Sequence, residues 1–223
     1  MGHVSESILD PPMLFARVGD AGLAEGDSLD TWTVAARLGA DGLLAVLNPG
    51  DKGDWVVGRA RGRLRGRSAT VPLQALWEAV GATSLDLALE VPDADAGAVV
   101  LEQAAARGLS GRLWACSADL ETLGGLVAAG VRCLHSCDPE SEGSGPEAHA
   151  AHLRRLGIDG ALINEERATA GMVALMHRFG RLVVAVGANY RRTAGRALSN
   201  GAAGVCGTDA EALADARAGR TPG

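Results

Sequence analysis

A chain of 223 residues with 47% hydrophobic and 22% charged side chains can bury a substantial core, which excludes a disordered polymer. Its formal charge of −6 excludes the basic face that nucleic acid demands, and 3% aromatics leave few platforms for stacking bases or sugars. No apolar run reaches the length of a membrane span, and Met1-Gly2-His3-Val4-Ser5-Glu6 lacks the basic and apolar regions of a secretion signal, so a cytoplasmic protein is expected.

Residues 1–12 read as a lead-in ending in Pro11-Pro12, and Met13-Leu14-Phe15-Ala16 as a short apolar strand. A Gly- and Asp-rich loop follows from Gly19 to Ser28, where Asp27 or Ser28 could cap a helix from Leu29 to Leu38. That helix stops at Gly39, and the non-alternating apolar run Leu43–Leu47 reads as a strand covered on both faces. Asn48 to Gly53 is a turn by composition, and Trp55-Val56-Val57 a short extended piece. The arginine-rich stretch 58–70 reads as an exposed loop, and Pro72 as the opening of a helix through Val80.

From here strands and helices alternate regularly. Strands are expected at Leu85–Val91, Arg112–Cys116, Arg132–His135, Ala161–Ile163, Leu182–Val186 and Gly204–Cys206. The intervening helices stop at Gly108, Gly130, Gly157, Gly180 and Gly201, and a last helix capped by Asp209 fades near Ala218. Gly39-Ala40-Asp41-Gly42, Gly157-Ile158-Asp159-Gly160 and Gly201-Ala202-Ala203-Gly204 are one joint used three times. About eight β/α units of this length predict an α/β fold, a TIM (β/α)8 barrel occupying 13–218, with 219–223 as a frayed tail. The alternative is an open doubly wound sheet, but no GxGxxG follows the first strand.

In such a barrel, chemistry belongs at the C-terminal ends of the strands. Those positions carry Arg17, Asn48, Asp51, Glu90, Asp93, Ser117, Asp119, His135, Asp138, Glu140, Glu165, Glu166, Arg167, Asn189, Tyr190, Arg191 and Thr208, an acidic mouth in which some acids also cap helices. Four cysteines, Cys116, Cys133, Cys137 and Cys206, form no CxxC pair and read as free thiols in a reducing compartment.

Phe15-Ala16-Arg17-Val18-Gly19 running through Leu38-Gly39-Ala40-Asp41-Gly42-Leu43-Leu44 to Trp55-Val56-Val57 resembles the opening of the glycerophosphodiester phosphodiesterases. Leu89-Glu90-Val91 is similar to that family's Glu-x-Lys strand, Val184 to Asn189 to its Trp-Thr-Val-Asn strand, and Gly201 to Val205 to its Gly-Val-Asp-Gly-Ile ending. The resemblance implies a TIM barrel in which a divalent cation, two histidines and an arginine cleave a phosphodiester. Carried over by position, the histidines fall on Arg17 and Arg59, and the phosphate-binding arginine on Val18. One inserted residue would move the first histidine to Ala16 and the arginine to Arg17. Two metal carboxylates fall on Leu44 and Val46, and Glu90 alone remains as a metal ligand.

These exchanges predict a phosphodiesterase-like pseudoenzyme of lipid metabolism, without a cofactor, that binds a small phosphorylated or anionic ligand or serves as a scaffold. Arg17, Arg59 and Asn189 are the anion-binding candidates, and Glu90 is either a relic ligand or a salt-bridge partner of the arginines. The alternative is an active phosphoric diester hydrolase that cleaves glycerophosphodiesters to glycerol 3-phosphate and an alcohol with Mg²⁺ or Ca²⁺ at an altered site. Among the remaining residues, His135, Cys137 and Asp138 cluster after a strand as a metal site or Cys/His pair. His149 and His152 are expected on the surface, and His177 in a structural role. Trp32, Trp77, Met172 and Met176 are expected to pack helices against the barrel.

Overall fold

The computed structural model describes residues 12–18, 29–50, 54–57, 71–139, 143 and 145–219. In chain order its elements are β1 (Met13–Arg17), α1 (Leu29–Arg37), β2 (Gly42–Pro49), β3 (Trp55–Val57), β4 (Val71–Pro72), α2 (Leu73–Gly81), β5 (Asp86–Glu90), α3 (Ala94–Ala106), β6 (Leu113–Ser117), α4 (Leu120–Ala128), β7 (Arg132–Ser136), α5 (Gly145–Leu156), β8 (Gly160–Asn164), α6 (Ala170–Arg178), β9 (Leu182–Val186), α7 (Arg191–Ser199), β10 (Gly204–Gly207) and α8 (Ala210–Ala218). Eight of these strands run parallel in the order β1-β10-β9-β8-β7-β6-β5-β2, and β1 pairs with β2, so the sheet closes on itself. The result is a TIM barrel with eight surrounding helices. β3 and β4 extend the end of β2 as an antiparallel ribbon, with Leu47 opposite Val57 and Val57 opposite Val71. Val71-Pro72 completes that ribbon, which delays α2 to Leu73.

Strand alternation divides the apolar residues into two cores. Phe15, Leu44, Ala88, Trp114, Cys116, Leu134, Leu162, Val184 and Cys206 fill the lumen. Their neighbours in sequence face the helices, where Trp32, Trp77, Met172 and Met176 are buried as packing residues. Trp114 is the large plug of the lumen, edge-on to Phe15 at 6.1 Å between ring centroids. Gly42 makes room for that plug: a Cβ there would lie 2.8 Å from the Phe15 ring.

The helix-stop glycines act as their sequence positions predict. Gly39 takes φ +93°, its N–H donates to Ala36 O at 3.1 Å, and the next N–H, of Ala40, reaches back to Ala35 O at 3.0 Å. This is the Schellman pattern, and it recurs at Gly108, Gly130, Gly157, Gly180 and Gly201. The repeated joint then locks strand to strand. Asp41 N donates to Leu14 O at 2.8 Å while Asp41 Oδ2 accepts from Leu14 N at 2.8 Å. Asp159 does the same with Cys133, through bonds of 3.0 and 2.7 Å. At the third joint Ala203 retains only the backbone bond, to Val183 O at 2.8 Å.

Candidate functional site

The inward positions at the C-terminal ends of the strands are Arg17 on β1, Val46 on β2, Glu90 on β5, Ser136 on β7, Asn164 on β8 and Val186 on β9. A cavity of about 450 Å³ opens between β2, β5 and β6, lined by Val46, Leu47, Asn48, Glu90, Val91, Pro92, Ser117, Ala118 and Asp119. Glu90 stands in register with Val46 on one side and Cys116 on the other. The Cys116 thiol is fully enclosed, and burial, with the nearby Glu90 charge second, pushes its pKa well above the ordinary thiol value.

Most polar side chains of the mouth are engaged in local structure. Asp119 caps α4, accepting from Thr122 N at 2.9 Å and from the Thr122 hydroxyl at 2.5 Å. That hydroxyl, then the amides, hold the Asp119 carboxyl below its ordinary pKa. Ser117 Oγ accepts from Asp119 N at 3.2 Å, and Asp93 caps α3 through Ala96 N at 2.8 Å. Asn189 joins two loops: its Oδ1 accepts from Thr208 N at 3.1 Å, while the cap position of α7 belongs to Tyr190. Glu165 pairs with Arg196, and Asp138 with Arg167 at 3.7 Å. Glu90 makes no hydrogen bond or ion pair among the described residues; the ion pairs there do not join it to Arg17.

Of the predicted anion-binding residues, Arg17 is half-buried beside Leu44, and Asn189 is half-buried between the last two loops. Arg59 lies outside the described residues, as do Asp27 and Ser28 and the stretch 58–70. Two inward polar residues escape the sequence reading, Ser136 and Asn164, each one residue beyond where its strand was expected to end. The Ser136 hydroxyl is buried without a hydrogen-bond partner, and Asn164 Oδ1 accepts from Glu166 N at 2.9 Å. Strand pairing is the signal that finds them, since Ser136 still pairs with Leu162 and Asn164 with Val186.

A second cluster lies outside the lumen. His135 is only 2% exposed and faces the helix layer, as does its strand neighbour Cys133. Its Nε2 donates to Ala118 O at 3.0 Å, and its Nδ1 lies 3.4 Å from Nε2 of His149 on α5. Cys137 Sγ is also 3.4 Å from that His149 nitrogen. His149 therefore departs from its expected surface position: at 3% exposure it is buried, because α5 turns it inward onto the end of β7. Cys137, not Asp138, completes the group.

No family model matches the chain, and no curated protein matches it in sequence. Solved structures do. A protein of Agrobacterium tumefaciens assigned as a glycerophosphoryl diester phosphodiesterase aligns at TM-score 0.80 and 16% identity, over 93% of this chain and 97% of its own. An Oleispira antarctica phosphodiesterase, solved with its product sn-glycerol-3-phosphate, aligns at 0.76 and 16%, over 92% and 96%. The glycerophosphodiester phosphodiesterase of Thermotoga maritima aligns at 0.69 and 17%, over 90% and 96%. The fold is that of the glycerophosphodiester phosphodiesterases.

On this phosphodiesterase fold, the resemblance assigns two metal carboxylates to Leu44 and Val46. Leu44 is wholly buried in the luminal core, and Val46, half-buried, lines the mouth cavity in register with Glu90. Neither carries a lone pair, which leaves Glu90 as the one carboxylate at those positions. A hard cation such as Mg²⁺ or Ca²⁺ requires several oxygen ligands, so this set does not fit it. Among the described residues no helix is long and apolar enough to cross a membrane.

Proposed function

We propose that the chain is a divergent relative of the glycerophosphodiester phosphodiesterases that has lost the parent reaction and binds a small phosphorylated or anionic ligand at the barrel mouth. The observation that carries this reading is the pair Leu44 and Val46, apolar side chains of which the first is buried in the lumen and the second lines the mouth cavity beside Glu90. They replace oxygen donors with hydrocarbon at the place where the resemblance puts the cation. Arg17 and Arg59 stand at the two histidine positions, and an arginine stays protonated at any working pH, so neither exchanges a proton with substrate. Both, with Asn189, suit an anion instead. The same reading places the ligand among the products of phospholipid breakdown and the chain in the cytoplasm.

A second reading is an active hydrolase with a rearranged site. It is favoured by Glu90, a half-buried carboxylate lining the cavity without a partner among the described residues. The test separates the two. Under the first reading the purified chain leaves glycerophosphocholine intact in Mg²⁺ or Ca²⁺, while sn-glycerol 3-phosphate raises its melting temperature and Arg17→Ala abolishes that rise. Metal-dependent hydrolysis that disappears in Glu90→Gln would establish the second.

A further inference from the structure

The cluster of His135, Cys137 and His149 belongs to neither the lumen nor the mouth chemistry, and its donor atoms all lie within 4.8 Å of one another. We propose that it is a zinc site, with His135 Nδ1, Cys137 Sγ and His149 Nε2 as ligands and a fourth position open to water.

The donor set suits a borderline-soft ion, since imidazole nitrogen and thiolate sulfur select Zn²⁺ over Mg²⁺ or Ca²⁺. The spacing suits it too. Zn–N bonds of about 2.0 Å and a Zn–S bond of about 2.3 Å at tetrahedral angles separate two nitrogens by about 3.3 Å and nitrogen from sulfur by about 3.5 Å. His149 Nε2 stands 3.4 Å from both His135 Nδ1 and Cys137 Sγ, and the remaining pair, His135 Nδ1 and Cys137 Sγ, lies within 4.8 Å.

The outer contacts point the same way. A carbonyl oxygen can only accept, so the bond to Ala118 O fixes the Nε2–H tautomer of His135 and leaves Nδ1 as a lone pair aimed at the cluster. That lone pair and the Cys137 sulfur both converge on one nitrogen of His149. A single ring proton there cannot serve both contacts well, whereas a cation between three lone pairs satisfies all of them. His135 and His149 are buried and pre-set, while Cys137 is half-buried and gives the ion a route in from solvent. Because Ala118 also lines the mouth cavity, the ion would brace one wall of that cavity through His135.

The site is independent of the function proposed for the mouth, and so is its test. Titration of the full chain with Co²⁺ reads out thiolate ligation as a sulfur-to-cobalt charge-transfer band. One equivalent per chain is expected to produce the band, Zn²⁺ to displace it, and Zn²⁺ to raise the melting temperature. Cys137→Ser, at a half-buried position, should keep the native circular dichroism and lose both the band and the Zn²⁺-induced rise. His149→Gln should weaken Co²⁺ binding more than about tenfold, while His152→Gln on the same helix leaves it unchanged. No saturable binding by the wild type, or a band that persists in folded Cys137→Ser, overturns the proposal.

Discussion

Asp86 and Glu90 stand four residues apart on the same luminal face of β5, one at the base of the barrel and the other at its mouth. Their surroundings are opposite. Asp86 Oδ2 accepts from Trp114 Nε1 at 2.9 Å and pairs with Arg132 at 2.9 Å, and the Arg132 guanidinium lies 4.0 Å over the Trp114 ring. Glu90 has no such partners among the described residues, and its neighbour across the barrel strand is Val46. Two carboxylates on one strand thus divide the labour of the fold: the base spends its acid on cohesion, and the mouth holds its acid toward a cavity. The other base carboxylates agree, with Asp41 held by Leu14 N at 2.8 Å and Arg217 at 2.5 Å, and Asp159 by Cys133 N at 2.7 Å.

The strongest way to break this contrast is at the plug. Trp114→Ala should cost about 3–5 kcal/mol, measured by denaturant unfolding, because it empties the lumen and strips both Asp86 and Arg132 of a contact. A loss near 1 kcal/mol would mean that the base is not where the lumen is held together. The two acids then give the direct comparison. Asp86→Ala should cost about 1–3 kcal/mol, since it leaves the Trp114 N–H and Arg132 without their acceptor. Glu90→Gln should change stability by no more than about 0.5 kcal/mol. Equal costs at the two positions would erase the distinction between base and mouth.

Much of this architecture is legible in the sequence because it depends on local chemistry. A glycine past a helix takes positive φ at no steric cost, so Gly39, Gly108, Gly130, Gly157, Gly180 and Gly201 mark the helix ends by local chemistry. Helix caps at Asp93, Asp119 and Asp209 are local in the same way. What the sequence hides depends on partners far along the chain. Ser136 and Asn164 look like loop residues until the neighbouring strands extend the ladder through them. His149 looks like a surface histidine because it shares its helix with His152, Arg154 and Arg155, and only the docking of α5 onto β7 turns it toward His135. The partner of Asn189 is likewise distant, since its oxygen accepts from Thr208 N across the next loop. The luminal role of Asp86 is equally non-local, since Trp114 and Arg132 reach it from the two following strands.

The smallest expected effect concerns one of the unpartnered groups near the base. His177, in the last turn of α6, has a buried Nε2 without a hydrogen-bond partner. Burial lowers its pKa from the ordinary 6.5, because the imidazolium is poorly solvated there. Just below pH 6.5 the unfolded chain therefore takes up a proton that the folded chain refuses, and protonation favours unfolding. The stability is full above 6.5 and is lost as the pH falls through that value toward the depressed one. Asp119 adds a loss of the same sign, but its loss begins only near 3.8, so the two windows separate. Melting temperatures measured from about pH 7.5 down to about pH 5 should decline in the wild type, and more shallowly in His177→Leu. An identical decline in both would move the acid sensitivity away from His177.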